Sequence, residues 1–411
     1  MKFYRNMYII RRRVLLEKIL HNSMTGGVLL LICAVVAVLA ANIPAMGWLH
    51  RFWDSSFGFT FQDFSFSMPV RQWVDDVLMA VFFFSVGLEI KRELLVGELS
   101  TVKKAMLPMF AAVGGMVFPA LIYAFFNSGT PSASGWGIPM ATDIAFAIGV
   151  LSLLGNRCPL GLKVFLVALA VVDDIGAIIV LAVFYPSHDI HFVYLVYAAV
   201  TVLVLLILNR SGIRSILIYL VLGAVLFVFV FLSGIHATIS GVILAMTIPA
   251  KTATGDIRAF IGPDSPLGRL ETALHPWVNF LIMPIFALAN AGVVIDRSVM
   301  GGDTMPAVMP GVFFGLLLGK PLGIFVFSWL AVKLRLAGLP EGTRWRQIFS
   351  LGILGGIGFT MSIFIDNLAF SEPHLVNAGK LAILVTSFLS ACLGIAALYL
   401  TTDKTKKYLK K

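Results

Sequence analysis

The chain has 411 residues, 59% of them hydrophobic and only 13% charged, with a mean hydropathy of +0.94. No soluble domain of this length needs so much apolar matter for its core, so the composition excludes a soluble enzyme or binding module and defines a polytopic membrane protein. The net charge of +10 points to no nucleic-acid partner, because the basic residues of a membrane protein are first placed relative to the bilayer.

The chain opens with a basic segment, residues 1–23, followed by an apolar run from Thr25 to Ala41. That run is longer than the h-region of a cleaved signal, about 7 to 15 residues, and is expected to remain as the first transmembrane helix. A membrane-spanning helix needs about 20 mainly apolar residues. By that rule twelve segments are predicted, at about 24–44, 73–96, 106–127, 137–154, 160–185, 193–208, 213–232, 234–250, 274–295, 309–332, 346–370 and 376–400. Threaded alternately across the membrane, they gather most Lys and Arg on one side, from the RRR of the N-terminus to the basic tail at 401–411. The positive-inside pattern then places both termini in the cytoplasm. The expectation is an all-α membrane protein forming one transmembrane domain over residues 1–411.

One external loop, 45–72, is more than a linker. Its FGFTFQDFSFS stretch, Phe57 to Ser67, alternates aromatic and polar residues about Gln62 and Asp63 and predicts a short β-hairpin. A lone hairpin is marginal in water, so it calls for a partner: a second subunit or its own membrane domain. Cys33, Cys158 and Cys392 lie in or beside apolar runs without metal-ligand spacing and read as small apolar residues. His188 and His191 with Asp189 read as a solvated external cluster, and His236 as a packed histidine.

The informative residues are the charges left inside the spans: Asp143, Asp173, Asp174 and Lys320, with Asp75, Asp76, Glu89 and Asp366 nearer helix ends. An Asp at the centre of a membrane helix costs about 2.5 to 3.5 kcal/mol to insert. Such residues face a bundle interior or aqueous cavity, pair with one another, and mark ion or proton routes. Asp173 and Asp174 are rotated by about 100 degrees on a helix and cannot point the same way. One carboxylate suits a cavity reached by a hard cation, and the other suits the ammonium of Lys320.

Two segments carry helix breakers at their middles. GWGIPMATDIAFAIG places Gly137 and Pro139 before Thr142 and Asp143, and LGILGGIGFTMSIF places Gly352, Gly355, Gly356 and Gly358 before Thr360. Unwound backbone is tolerated at membrane depth only where protein or water satisfies it, and interrupted spans are the sequence pointer to a transporter binding site. The partial charges of half-helix ends suit Asp143 at N-termini and Lys320 at C-termini. Oxygen ligands favour a small hard cation, and without a phosphate-binding loop the energy source is expected to be the proton gradient. The rival readings are an intramembrane aspartyl protease, whose two aspartates must come from separate helices, and a passive proton channel.

These motifs, ATDIAFAIGVLSLLG, ALAVVDDIGAIIV, GIHATISGV, HPWVNFLIMPIFALANAGV, LLLGKPLGI, GILGGIGFTMSIFI and VFFFSVGLEIKREL, closely resemble the NhaA family of bacterial sodium/proton antiporters. The resemblance runs in order from about residue 24 to residue 400. It implies inverted-topology repeats with two interrupted helices crossing near the midplane, as the family's architecture has them. It further implies exchange of intracellular sodium or lithium for external protons, with no cofactor and no enzymatic reaction. Asp174 would be the main cation and proton carboxylate, with Asp173 beside it engaging Lys320, and Asp143 and Thr142 at the crossing. Glu89, Lys91, Arg92, Glu93, Glu271 and His275 would form a pH-responsive cytoplasmic funnel. Thr272 stands where some members have a second histidine. The resemblance also implies a homodimer joined through the external hairpin, in the bacterial inner membrane.

Overall fold

In hydrocarbon, backbone N–H and C=O groups must bond within their own segment, and the apolar runs fold accordingly as helices in this computed structural model. It describes residues 23–61, 64–186, 190–250, 265–295 and 306–402. Of the basic segments expected at 1–23 and 401–411, residues 1–22 and 403–411 lie outside the described residues, as do His188 and Asp189 of the external cluster.

The helices in chain order are α1 (Ser23–Asn42), α2 (Gly47–Asp54), α3 (residues 70–95, with a π turn at Val74–Leu78), α4 (Val102–Asn127), α5 (Ile144–Ser152), α6 (Leu160–Phe184) and α7 (Phe192–Arg210). They continue with α8 (Ile216–Leu232), α9 (Ile239–Thr247), α10 (Pro266–Asn290), α11 (Val308–Lys333), α12 (Trp345–Gly355), α13 (Phe359–Ala369) and α14 (Pro373–Thr402). Among the described residues, seven of these are long and apolar enough to cross a membrane. Two bent pairs raise the number to nine, one being the 3-10 helix Pro131–Met140 with α5, bent by 43°, and the other α12 with α13, bent by 48°. The remaining expected segments also carry helices, α3, α8 and α9. The first holds a charged cluster, Glu89 to Glu93, and the other two are shorter than the seven.

Both breaks fall where glycine and proline interrupt the pattern, at residues 141–143 and 356–358. The first half-helix adopts the tighter 3-10 form, which the GWGIP sequence favours by weakening the regular α ladder.

Small residues bring α4 and α11 into backbone contact. A methyl group at Gly323 would collide with the Gly114 carbonyl, and one at Gly319 with the backbone of Pro119. This close approach brings the buried Lys320 to the centre of the bundle.

Outside the bundle, β1 (Ser56–Phe61) pairs antiparallel with β2 (Phe64–Pro69), as the alternation predicts, with Phe57 opposite Met68. The hairpin leans on the start of α3 through a hydrogen bond from Trp73 Nε1 to the Phe57 carbonyl, 2.9 Å, and a T-shaped ring contact between the same residues. Phe57 remains 65% exposed.

Candidate functional site: two joined helix breaks and buried carboxylates

The two breaks are stitched to each other by hydrogen bonds of residues in both. The Asp143 N–H donates to the Ile357 carbonyl, 2.7 Å, and the Thr142 hydroxyl donates to the Gly355 carbonyl at the end of α12, 2.9 Å. In return, the Ser362 hydroxyl of α13 donates to the Ile138 carbonyl, 2.8 Å. The exposed carbonyls of each half-helix are thus met by a hydroxyl from the opposite break.

Asp143 serves the N-termini. Its Oδ1 accepts from the Phe146 N–H at the start of α5, 2.9 Å, while its Oδ2 accepts from the Thr360 N–H of α13, 3.2 Å, and from the Thr360 hydroxyl. One carboxylate therefore caps two helices whose positive ends face it, the position the sequence pattern assigns to this residue. Lys320 has a different partner from the half-helix carbonyls. Its Nζ donates to Asp173 Oδ2 at 2.7 Å, with the two side chains only 1% and 2% exposed. An ammonium drawn to a buried carboxylate leaves the neutral carbonyls to hydroxyl donors.

Asp174, one residue on, is as buried but turns elsewhere. It lines a cavity of about 150 Å³ with Thr142, Asp143, Glu89 and His275. The adjacent pair is divided as the helical rotation requires, with one carboxylate on the lysine and the other on the cavity. Among the described residues no three His, Cys, Asp or Glu side chains cluster closely enough to hold a metal ion by themselves. A cargo cation at Asp174 would therefore draw on backbone or water oxygens as well.

The six residues expected at a cytoplasmic funnel separate into distinct surroundings. Arg92 of α3 joins Glu93 at 2.9 Å, Glu271 of α10 at 3.3 Å and Glu89 at 3.8 Å, so four of them form one ionic network. His275 lies against the Asn279 amide, 3.1 Å, at the rim of the cavity. Lys91 stands apart. It donates to the carbonyls of Met246 and Ile248, 2.6 and 2.5 Å, closing the C-terminus of α9. Thr272 is exposed. His236 packs its ring against Phe364, 5.7 Å between centroids.

Thr360 and Ser362 carry half of the stitching although no role follows from their sequence position alone; the available signal was their place just after the glycine run, where hydroxyls meet free helix-end groups. Lys380 of α14 is a further buried charge, 3% exposed, in an apolar run. Asp75 accepts from Asn290, 2.6 Å, and Asn290 accepts in turn from Asn367, 2.9 Å.

Asp143 has both oxygens engaged by helix-end donors, so it is not placed to share a proton with Asp173 or Asp174 as a protease dyad requires. Broken helices stitched at their breaks, around a cavity lined by a buried carboxylate, define an ion-coupled membrane transporter. The chain belongs to the family described as Na+/H+ antiporter 1, whose sequence profile it matches over residues 17–398. It is 50% identical over 378 residues to the Na(+)/H(+) antiporter NhaA 2 of Flavobacterium johnsoniae, covering 92% of this chain and 90% of that protein. It is also 48% identical over 384 residues to the Na(+)/H(+) antiporters NhaA of Salmonella arizonae and Escherichia coli O1:K1, covering 92% of this chain and 96% of each.

Proposed function

We propose that the chain exchanges intracellular sodium or lithium for external protons at Asp174, with Asp173 and Lys320 as the coupled pair beside it. The observation that carries this is the division of the two aspartates: Asp173 is held by an ammonium while Asp174 faces the cavity. Protons and a hard cation then compete for the same oxygens. The loaded forms have their charge compensated and can relocate, whereas the empty charged form is disfavoured at membrane depth. Exchange follows without a separate gate for each ion.

In this scheme the single domain, residues 1–411, spans the bacterial inner membrane twelve times as inverted-topology repeats, both termini being cytoplasmic. The broken helices cross near the midplane, where Asp143 and Thr142 compensate their end charges. The Arg92, Glu89, Glu93 and Glu271 network and His275 lie on the cytoplasmic approach to the cavity and adjust its access with pH, while Lys91 secures the neighbouring helix. Release of two protons for each sodium makes the exchange electrogenic. The exposed hairpin joins two copies into a homodimer. Support comes from family membership, from the placement of the carboxylates, and from the basic residues that flank the spans.

The test is proton release on sodium addition in everted vesicles. Asp173→Asn and Asp174→Asn are each expected to abolish it, and wild-type release in either variant removes that residue from the mechanism. Proton flux independent of sodium would instead mark a channel.

A further inference from the structure

A second set of buried ionisable groups lies toward the hairpin side of the helix crossing. Asp366 stands on α13 six residues beyond Thr360, and at a rise of about 1.5 Å per residue it sits about 9 Å further along that helix. It is 0% exposed, and neither of its carboxylate oxygens meets a hydrogen-bond donor among the described residues. Gly379 of α14 makes room for it, since a methyl group there would collide with the carboxylate. Lys380, the residue after Gly379 on α14, is the nearby cation, and it interacts electrostatically with Asp366 and with Asp75 of α3. The Asn367–Asn290–Asp75 hydrogen bonds join the residue next to Asp366 to that second carboxylate. The other titratable or charged groups felt by this set are Arg71 and Asp76 of α3 and Tyr123 of α4.

One ammonium thus stands against one buried carboxylate, Asp366, whose oxygens are bare, and one half-buried carboxylate, Asp75. A charged carboxylate without donors is costly in such a place unless a proton, a cation or the ammonium neutralises it. Asp75 has an amide donor besides, so Asp366 is the group whose state depends on where Lys380 and any mobile proton reside.

We propose that Asp366 and Lys380 form a proton-transfer station on the hairpin-side half of the transport path, passing protons between that face of the membrane and the carboxylates at the helix crossing. A proton arriving from water binds an Asp366 oxygen, and the Lys380 ammonium turns to Asp75. When the proton moves inward, the ammonium turns back toward the Asp366 carboxylate and offsets its charge. One O–H bond forms and then breaks, and no other species is consumed. The station presupposes proton-coupled exchange at Asp174.

The experiment uses full-length protein in proteoliposomes, with sodium efflux followed while the hairpin-side pH alone is varied. Asp366→Asn with Lys380→Gln keeps the packing and removes both charges. The double variant is expected to need about tenfold more protons on the hairpin side for half-maximal exchange, with cytoplasmic sodium dependence within about twofold of wild type. Unchanged proton dependence, or a shift in sodium dependence instead, overturns the proposal. Should the variant not insert, carbodiimide labelling of the wild type decides, because that reagent captures protonated carboxyls in apolar surroundings. Labelling at Asp366 that declines as hairpin-side pH rises supports the station; absent or pH-invariant labelling overturns it. Exchange persisting in Asp174→Asn would overturn the antiport site itself and is scored separately.

Discussion

At the residue scale the strongest constraint is the Asp173–Lys320 pair, 2.7 Å apart and almost completely buried. Removing one partner of a buried pair typically costs about 3 to 5 kcal/mol, because the other is left without compensation. Asp173→Asn is therefore expected to lower the melting temperature in detergent markedly, and Asp173→Asn with Lys320→Gln to restore most of it, since the double change leaves no orphan charge. A double variant that melts as low as the single one would show that the pair does not hold α6 to α11. An aspartate–Lys320 pair was legible in the sequence, because charges left inside membrane spans pair with one another. The choice of Asp173 over Asp174 was not legible from the residues alone, since helical rotation separates the two directions without saying which faces α11.

At the element scale, the two half-helix pairs were legible as breaks, since glycine and proline interrupt otherwise apolar runs. The stitching was not. It depends on contacts between Asp143 and Thr360, far apart in the chain, that no local pattern encodes. Lys380 was missed for the opposite reason: a charge near a helix end looks like an ordinary interface residue, and only the packing of α13 against α14 puts it within electrostatic reach of Asp366. Asp143→Ala would leave two helix N-termini without their shared acceptor, at about 0.5 to 2 kcal/mol for each cap, with the local dipoles then unopposed. Reduced thermal stability and loss of exchange are the expected outcome. Thr360→Ser, which keeps the hydroxyl, should retain exchange, whereas Thr360→Val should lose much of it. Equal activity in these two variants would mean that the hydroxyl contact to Asp143 is dispensable. Between α4 and α11 the limit is steric: Gly323→Ala drives a methyl group into the Gly114 carbonyl, and overpacking of this kind costs about 1 to 3 kcal/mol. A lower yield of folded protein is the expected readout.

At the scale of the whole molecule, the hairpin and the ion cycle make separable demands. Replacing residues 57–68 by a short glycine turn is expected to give a monomer by light scattering in detergent that still exchanges ions, because the contacts of the hairpin's described residues to α3 run through Trp73 at its start, away from Asp174. A dimer that survives the replacement would place the subunit contact elsewhere. The ion cycle itself turns on competition. If protons and sodium bind the same carboxylates, acidity lowers the rate by occupying the site, and sodium restores it. The half-saturating sodium concentration should then rise about tenfold per pH unit of acidification for each competing proton, and about a hundredfold if two protons leave for each sodium. The maximal rate at saturating sodium should change far less. A gate controlled by the Arg92 network behaves differently, because its closure at low pH removes active transporters whatever the sodium concentration. Exchange in everted vesicles between pH 6 and 9, at sodium concentrations spanning several decades, separates the two. A family of curves that meets at high sodium marks competition at Asp174, and its displacement per pH unit gives the proton count. Curves that fall in height without shifting would place the pH response in the ionic network and leave the carboxylates saturated throughout.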